Sequence, residues 1–276
     1  VLYTTNMTEL PLGKATRYPD QYAPDTLCRI DRAENRERIG LVGTLPFSGV
    51  DIWNAWDLTW LDDGGKPQTA TAEIRIPADS PGIVESKSMK LYLGSFAMSG
   101  YASPDALRGL IEADLGSCVG APVSVRIDTL SGTRARGLQR LPGQSLDQNS
   151  VECTQWEVSP DLLCTETDDV VSEDLYTDAL RSLCPVTEQP DLGSLLVCYE
   201  GPKIDRASLL RYIVSYRRHQ DFHENCVERM FVDLLDRCSP HKLIVYARYQ
   251  RRGGLDINPF RSNVEAPARN LRLWRQ

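Results

Sequence analysis

No apolar run in this 276-residue chain approaches the roughly 18 residues that a membrane-crossing helix requires. Its first residues lack the basic, apolar and small-residue succession of a secretory signal, so the expected compartment is the cytoplasm, with no membrane partner. The eight cysteines include no Cys-x-x-Cys pair and are spread through a mid-sized chain, which argues against a disulfide framework and makes most of them small buried apolar groups. Positive charge is not in excess either. The net charge is −7, and Arg134, Arg136 and Arg140 form only a short basic cluster, so direct nucleic-acid binding is not expected and a small-molecule substrate is. No Gly-x-Gly-x-x-Gly follows an expected strand, so any dinucleotide is held outside a Rossmann site.

What the chain does have is an internal echo at an offset of 120 residues. Glu-Ser-Lys-Ser-Met-Lys-Leu-Tyr at 85–92 lies over Asp-Arg-Ala-Ser-Leu-Leu-Arg-Tyr at 205–212, with Ser88 on Ser208, Tyr92 on Tyr212, Ser95 on Ser215 and Cys118 on Cys238. The apolar register follows, since Met89, Leu93, Phe96, Leu107, Leu110 and Ile111 meet Leu209, Ile213, Tyr216, Val227, Met230 and Phe231. At 41% hydrophobic content the chain can bury two small cores, and the echo predicts two modules, residues 1–150 and 151–276. Only the second carries Cys184, Asp191, His223 and Glu224, while the first keeps a Ser/Lys segment, so a site using both sets is expected between the copies.

Residues 1–40, rich in Pro, Thr and charge, read as an arm. Asp51–Leu61 alternates, Asp-Asp-Gly-Gly at 62–65 turns the chain, and Thr71–Pro77 returns as an antiparallel partner. Helical spacing follows at Met89, Leu93 and Phe96, and again from Leu107 to Leu115 between Ser103-Pro104 and Gly116, before a strand at Val123–Leu130. Ser131–Asn149 reads as a linker. The second half repeats the order: apolar segments at Leu180–Val186 and Leu195–Tyr199, helices Arg206–Arg217 and His223–Cys238, and a last strand Leu243–Tyr249 ending in Arg251-Arg252-Gly253-Gly254. Helices gathered on one face of antiparallel sheets make an α+β fold.

Several residues carry chemistry, each with a plainer reading beside it. Cys184 sits in a break bracketed by Pro185 and Pro190; it is either structural or a nucleophile. Asp191 is either a turn residue in Pro-Asp-x-Gly or a carrier of the thiol proton. Glu224 is explained equally by a capping box with Asp221 as N-cap and by ligand binding, and the helix dipole suits both His223 and Glu224 to proton transfer. His219, His223 and Cys226 tempt a zinc reading, but a helix starting near 222 takes His219 out of register, so no metal is expected. Glu85 stands at a helix start. Ser86, Lys87 and Ser88 form its first turn, and uncapped N–H groups with Lys87 and Lys90 make either a phosphate cradle or a solvated helix end.

Four segments taken together, Val-Glu-Ser-Lys-Ser-Met-Lys-Leu-Tyr-Leu at 84–93, Cys-Pro-Val-Thr-Glu-Gln-Pro-Asp at 184–191, Phe-His-Glu-Asn-Cys-Val-Glu-Arg at 222–229 and Arg-Arg-Gly-Gly-Leu-Asp-Ile-Asn-Pro-Phe-Arg at 251–261, resemble the NADPH-dependent 7-cyano-7-deazaguanine reductases in their long two-module form. The likeness runs from Leu-Gly-Lys-Ala-Thr-Arg-Tyr-Pro near residue 12 to residue 262. It implies tandem tunnelling-fold modules and four-electron reduction of a deazapurine nitrile to a primary amine, on the way to queuosine in transfer RNA, with NADPH as cofactor. It further implies that Cys184 adds to the nitrile carbon as a thioimide, that Asp191 manages the protons, and that His223 assists a later proton transfer. Val84, Glu85, Ser86, Phe222, His223 and Glu224 would hold the substrate, Glu85 and Glu224 at its guanine-like edge. Ser86, Lys87, Lys90, Arg252 and Gly253 would hold the cofactor. Leu192 stands where the family places Trp, and Met89 where Phe or Leu is usual. By analogy with the fold's sheet edges the chain is expected to form at least a homodimer. The competing readings are a zinc-dependent tunnelling-fold enzyme of the pterin-forming cyclohydrolase type and a non-catalytic purine-binding protein.

Overall fold

A computed structural model describes residues 18–130, 132 and 137–276. The first part of the expected arm, most of the motif near residue 12, and Arg134 and Arg136 lie outside the described residues. The chain divides into two compact units: the first takes residues within 1–34, 52–137 and 251–256, the second 35–51, 138–250 and 257–276. Among the described residues no helix is long and apolar enough to cross a membrane.

The first unit is built on the expected hairpin. β1 (Arg29–Asp31), α1 (Ala33–Arg38, shared with the second unit), β2 (Ser48–Leu61), β3 (Pro67–Pro77), β4 (Gly82–Val84), α2 (Ser86–Gly94), α3 (Pro104–Val119) and β5 (Ser124–Thr129) follow in order. β3 lies between β2 and β5, and β1 pairs antiparallel with β4. β2 and β3 bury Ile52, Leu58, Trp60, Ile74 and Ile76, and the helices bury Met89, Leu107, Ile111 and Leu115; the expected alternation gives way to continuous burial over residues 51–55 and 70–74. Asp62 Oδ1 accepts the N–H groups of Gly64 and Lys66, both at 3.0 Å, which fixes the turn between β2 and β3. Gly116 does not end α3. The helix runs on to Val119 and stops at Gly120, whose φ of 74° accommodates the left-handed cap that Gly116 was expected to supply.

The second unit contains β6 (Gln144–Ser145), β7 (Thr165–Leu183), β8 (Pro190–Ile204), α4 (Arg206–Ser215), α5 (His223–Cys238), β9 (Lys242–Tyr249) and most of β10 (Leu255–Ser262). Its strands lie in the order β10-β9-β8-β7-β6, antiparallel except for β6 on β7. Three expectations change here. β7 begins at Thr165, well before the apolar segment that announces it, because its first half is polar and exposed. Part of the expected linker is ordered, with Leu141 and Leu146 buried and Gln144–Ser145 paired to Leu175–Tyr176. Arg251–Gly254 does not end the last strand; it turns the chain into β10, a fully buried strand despite Pro259.

The echo is physical as well as statistical. In each unit a carboxylate caps the first helix, Glu85 for α2 and Asp205 for α4, and the Ser88 and Ser208 hydroxyls donate to its backbone carbonyl at 2.7 Å. Ser95 and Ser215 donate to the Tyr92 and Tyr212 carbonyls at 2.6 Å, and those tyrosines donate to Asp114 and Asp233. The offset is not constant, however. Asp114 and Asp233 are 119 residues apart, as are the caps Ser103 and Phe222 and the left-handed Gly120 and Ser239. One residue is therefore missing before α5. Ile111 answers to Met230, and Val119, not Cys118, answers to the buried Cys238.

Deep in the second unit, Glu228 accepts from Arg36 at 2.9 and 2.8 Å and from Arg261 at 3.1 and 2.8 Å, while Arg261 also donates to Asp51 at 2.7 Å. Phe47 packs under both guanidiniums. Burial alone would lower the pKa of Arg261, but Asp51 and Glu228 outweigh it and keep the guanidinium charged.

Candidate active site

In the second unit β7 delivers Cys184 to the start of a tight turn. The Cys184 N–H donates to Gln189 O and its carbonyl accepts from Glu188 N–H, both at 3.0 Å, with Glu188 at a φ of 57°. The prolines therefore do bracket a break, and the thiol is buried at its edge. Asp191 lies on the returning strand β8, opposite Ser182, so the turn-residue reading is corrected: Asp191 is a buried strand residue one step past Pro190. Its Oδ2 lies 3.2 Å from His223 Nε2.

The start of α5 is held against the same turn. Leu183 N–H donates to His219 O at 2.8 Å, and Leu183 O accepts from Asp221 N–H at 3.2 Å. The capping-box reading of Asp221 and Glu224 does not hold. The N-cap is Phe222, whose ring offers no acceptor, and Asp221 Oδ1 instead takes the Phe222 N–H at 2.8 Å and the Asn225 side-chain amide at 2.6 Å. The corresponding cap of the first unit is a serine, Ser103, bonded to Ala106 N–H. Glu224 is thus a carboxylate in the first turn, 2% exposed, without the capping role that would explain it. Burial would raise the pKa of Asp221, but His219, Asn225 and the Phe222 N–H together hold it below the ordinary value. His219 pairs with Asp221 at 3.6 Å and His223 with Asp191, so the two rings have separate carboxylate partners.

The pattern of the sequence did not single out Tyr249, because it closes an apolar strand and reads as core. Its ring lies parallel to the His223 imidazole, with centroids 3.7 Å apart and planes within 5°. The hydroxyl is buried beside Cys226 and Ser182, and burial foremost pushes its pKa well up. Cys226 is likewise raised, first by burial and then by Asp221. Leu192, at the family's tryptophan position, is 38% exposed, opposite in direction to the adjacent buried Asp191.

The first unit holds the other expected group. The Glu85 carboxylate accepts Lys87 N–H on Oε1 and Ser88 N–H on Oε2, each at 2.8 Å. This corrects the uncapped cradle: those N–H groups are already satisfied by Glu85. Val84 and Glu85 are buried, while Ser86, Lys87 and Lys90 are partly exposed. Nearby, a cavity of about 220 Å³ is lined by Ala55, Asp57, Lys90, Gly94, Gly253 and Leu255, among others. Gly253 has a φ of 59°, and a Cβ there would press on the Lys90 stem at 3.3 Å. Arg251 is paired with Asp57 and lies over Trp56, and Arg252 closes the turn through backbone bonds with Leu255.

Comparison with known proteins agrees over nearly the whole chain. A family described as "Nitrile reductase, 7-cyano-7-deazaguanine-reductase N-term" matches residues 18–127, and one described as "QueF-like protein" matches 190–268. Proteins named "NADPH-dependent 7-cyano-7-deazaguanine reductase" from Burkholderia multivorans and Burkholderia mallei are each 52% identical over 273 residues, covering 98% of this chain and all of theirs. A crystal structure of "the archaeosine synthase QueF-Like in the apo form" aligns at 17% identity and a TM-score of 0.31, over 36% of this chain and 96% of its own.

Proposed function

The chain belongs to the NADPH-dependent 7-cyano-7-deazaguanine reductase family, and from that premise we propose that it reduces the nitrile of 7-cyano-7-deazaguanine to the aminomethyl group of 7-aminomethyl-7-deazaguanine, a step of queuosine biosynthesis. The observation that carries the assignment of roles is the meeting of Asp191 and His223 at 3.2 Å beside the turn that begins with Cys184.

Cys184 Sγ forms a bond to the nitrile carbon, and its proton passes through Asp191 to the nitrile nitrogen, giving a thioimide. Two molecules of NADPH supply the hydrides when bound, one each. Breaking of the C–S bond leaves an imine, the acceptor of the second hydride; Asp191, reprotonated from solvent, returns a proton to the sulfur, and His223 supplies a second solvent-derived proton that completes the amine nitrogen. The pairing with Asp191 suits His223 to this, since the carboxylate orients the ring and stabilises its protonated form. Glu224 and Glu85 accept the N–H donors of the guanine-like edge, with Val84 and Ser86 beside Glu85. The Glu85 carboxylate fits that role: each oxygen takes one backbone N–H and retains a second acceptor direction. Phe222 covers the ring face.

The cavity beside Lys90 and Gly253 suits a cofactor segment, because a left-handed glycine lets the backbone approach closely and Lys90 brings positive charge to a lining that also holds Asp57. Ser86, Lys87, Lys90, Arg252 and Gly253 are the residues that would hold it. Two tandem tunnelling-fold modules, divided near residue 150, a cytoplasmic setting and a homodimer complete the reading. The long β7, paired on its outer side at Leu175–Tyr176 among the described residues, leaves edge for a second copy.

The test is intact mass after mixing protein with the nitrile alone. An adduct of one substrate mass is expected in the wild type and none in Cys184→Ala. With the full mixture, two NADPH are consumed per nitrile; a stable protein without either result contradicts the reading.

A further inference from the structure

Tyr249 lies outside every role assigned so far, yet it makes the closest ring contact in the second unit. We infer that it is a positioning residue, the flat support that fixes the plane of the His223 imidazole; this rests on the role of His223 proposed above.

Several independent contacts argue for it. The two rings lie 3.7 Å apart and within 5° of parallel, so rotating the imidazole about its Cβ–Cγ bond drives an edge into the tyrosine face. Nε2 is directed at Asp191, whereas Nδ1 is buried without a hydrogen-bond partner. In many sites a bond at the second nitrogen fixes a histidine's orientation. Among the described residues that bond is lacking, and the stack takes its place.

Tyr249 is itself held by its backbone and flanked on its ring. Its N–H meets Asn258 Oδ1 at 3.2 Å and its carbonyl accepts from the Gln276 side chain at 2.6 Å. It pairs in register with Gly193, and a Cβ at that glycine would come to 3.2 Å from the tyrosine ring. Gly193 therefore leaves the space in which the ring lies flat, two residues from Asp191. The hydroxyl sits on the far side, beside Ser182 and Cys226. The ring face, rather than the hydroxyl, is the working part.

The full chain has three histidines, so their ring protons can be resolved by proton NMR, with His223→Gln identifying one set and the exposed His241 serving as reference. The wild-type His223 ring protons are expected upfield of those of His241, from the ring current of Tyr249. Tyr249→Phe keeps this displacement and Tyr249→Leu loses it. In turnover, Tyr249→Leu lowers kcat roughly tenfold to a hundredfold with KM for the nitrile changed by less than about threefold, while Tyr249→Phe restores most of the rate. The Cys184 adduct still forms in both. A wild-type His223 signal without the displacement overturns the proposal even if the Leu variant does not fold, and so does a Phe variant as slow as the Leu variant. If the wild type forms no adduct and oxidises no NADPH, it is the catalytic assignment that falls, and the NMR result remains separately readable.

Discussion

Glu85 and Asp205 hold the same helix-cap position 120 residues apart, but Glu85 bridges two backbone N–H groups where Asp205 meets one. The extra methylene lets both oxygens reach the first turn. Glu85→Gln retains one acceptor and loses the charge. We expect it to cost about 1 kcal/mol of stability and to raise KM for the nitrile about tenfold or more, measured by denaturant unfolding and NADPH consumption. An unchanged KM removes Glu85 from the substrate site.

Asp191→Asn preserves shape and removes the carboxylate to which proton transfer is assigned in our proposal. Adduct formation with Cys184 is expected to slow by about 10²–10⁴-fold, followed by quenched-flow mass measurement. His223→Gln, by contrast, is expected to form the adduct normally and to lose turnover.

Glu228 neutralises two buried guanidiniums at once. Removing it as Glu228→Ala takes away the carboxylate shared by Arg36 and Arg261, leaves Arg261 with Asp51, and is expected to cost about 3 kcal/mol. The fall in urea midpoint checks this, and Arg36→Met, which removes the less buried partner, is expected to cost less.

Asp221 supplies the pH dependence. Its carboxyl is held below the ordinary value of 3.8 in the folded state, so its stabilising share is fully present above that value. It is lost as pH falls through the lowered folded pKa. The stability difference between the wild type and Asp221→Asn is therefore expected to be flat above about pH 5 and to shrink below pH 4, read from urea unfolding at a series of pH values.

Much of this was legible because local rules and tertiary packing agree. The Ser103-Pro104 cap, the Asp62–Gly65 turn and the amphipathic stripe of α5 all stand as their residues demand. Disagreement came where tertiary context supplied what the local pattern lacked. Thr165–Asp174 forms strand because β8 pairs with it, although its own residues are polar. β10 survives Pro259 because it is buried among neighbours. The end of α3 passed Gly116 since its stop is set by φ at Gly120, which no residue count reveals. At the site, Cys184 and Asp191 were marked by their prolines, but Tyr249 was hidden: an aromatic ring closing a buried strand has the same pattern whether it fills space or braces a histidine.

The double backbone bond of Leu183 to His219 and Asp221 has a mechanical corollary. The strand that leads to Cys184 is stitched to the segment that launches the His223 helix, so the two proposed catalytic side chains stand on joined backbone. A displacement of either segment is therefore expected to pull the other along with it.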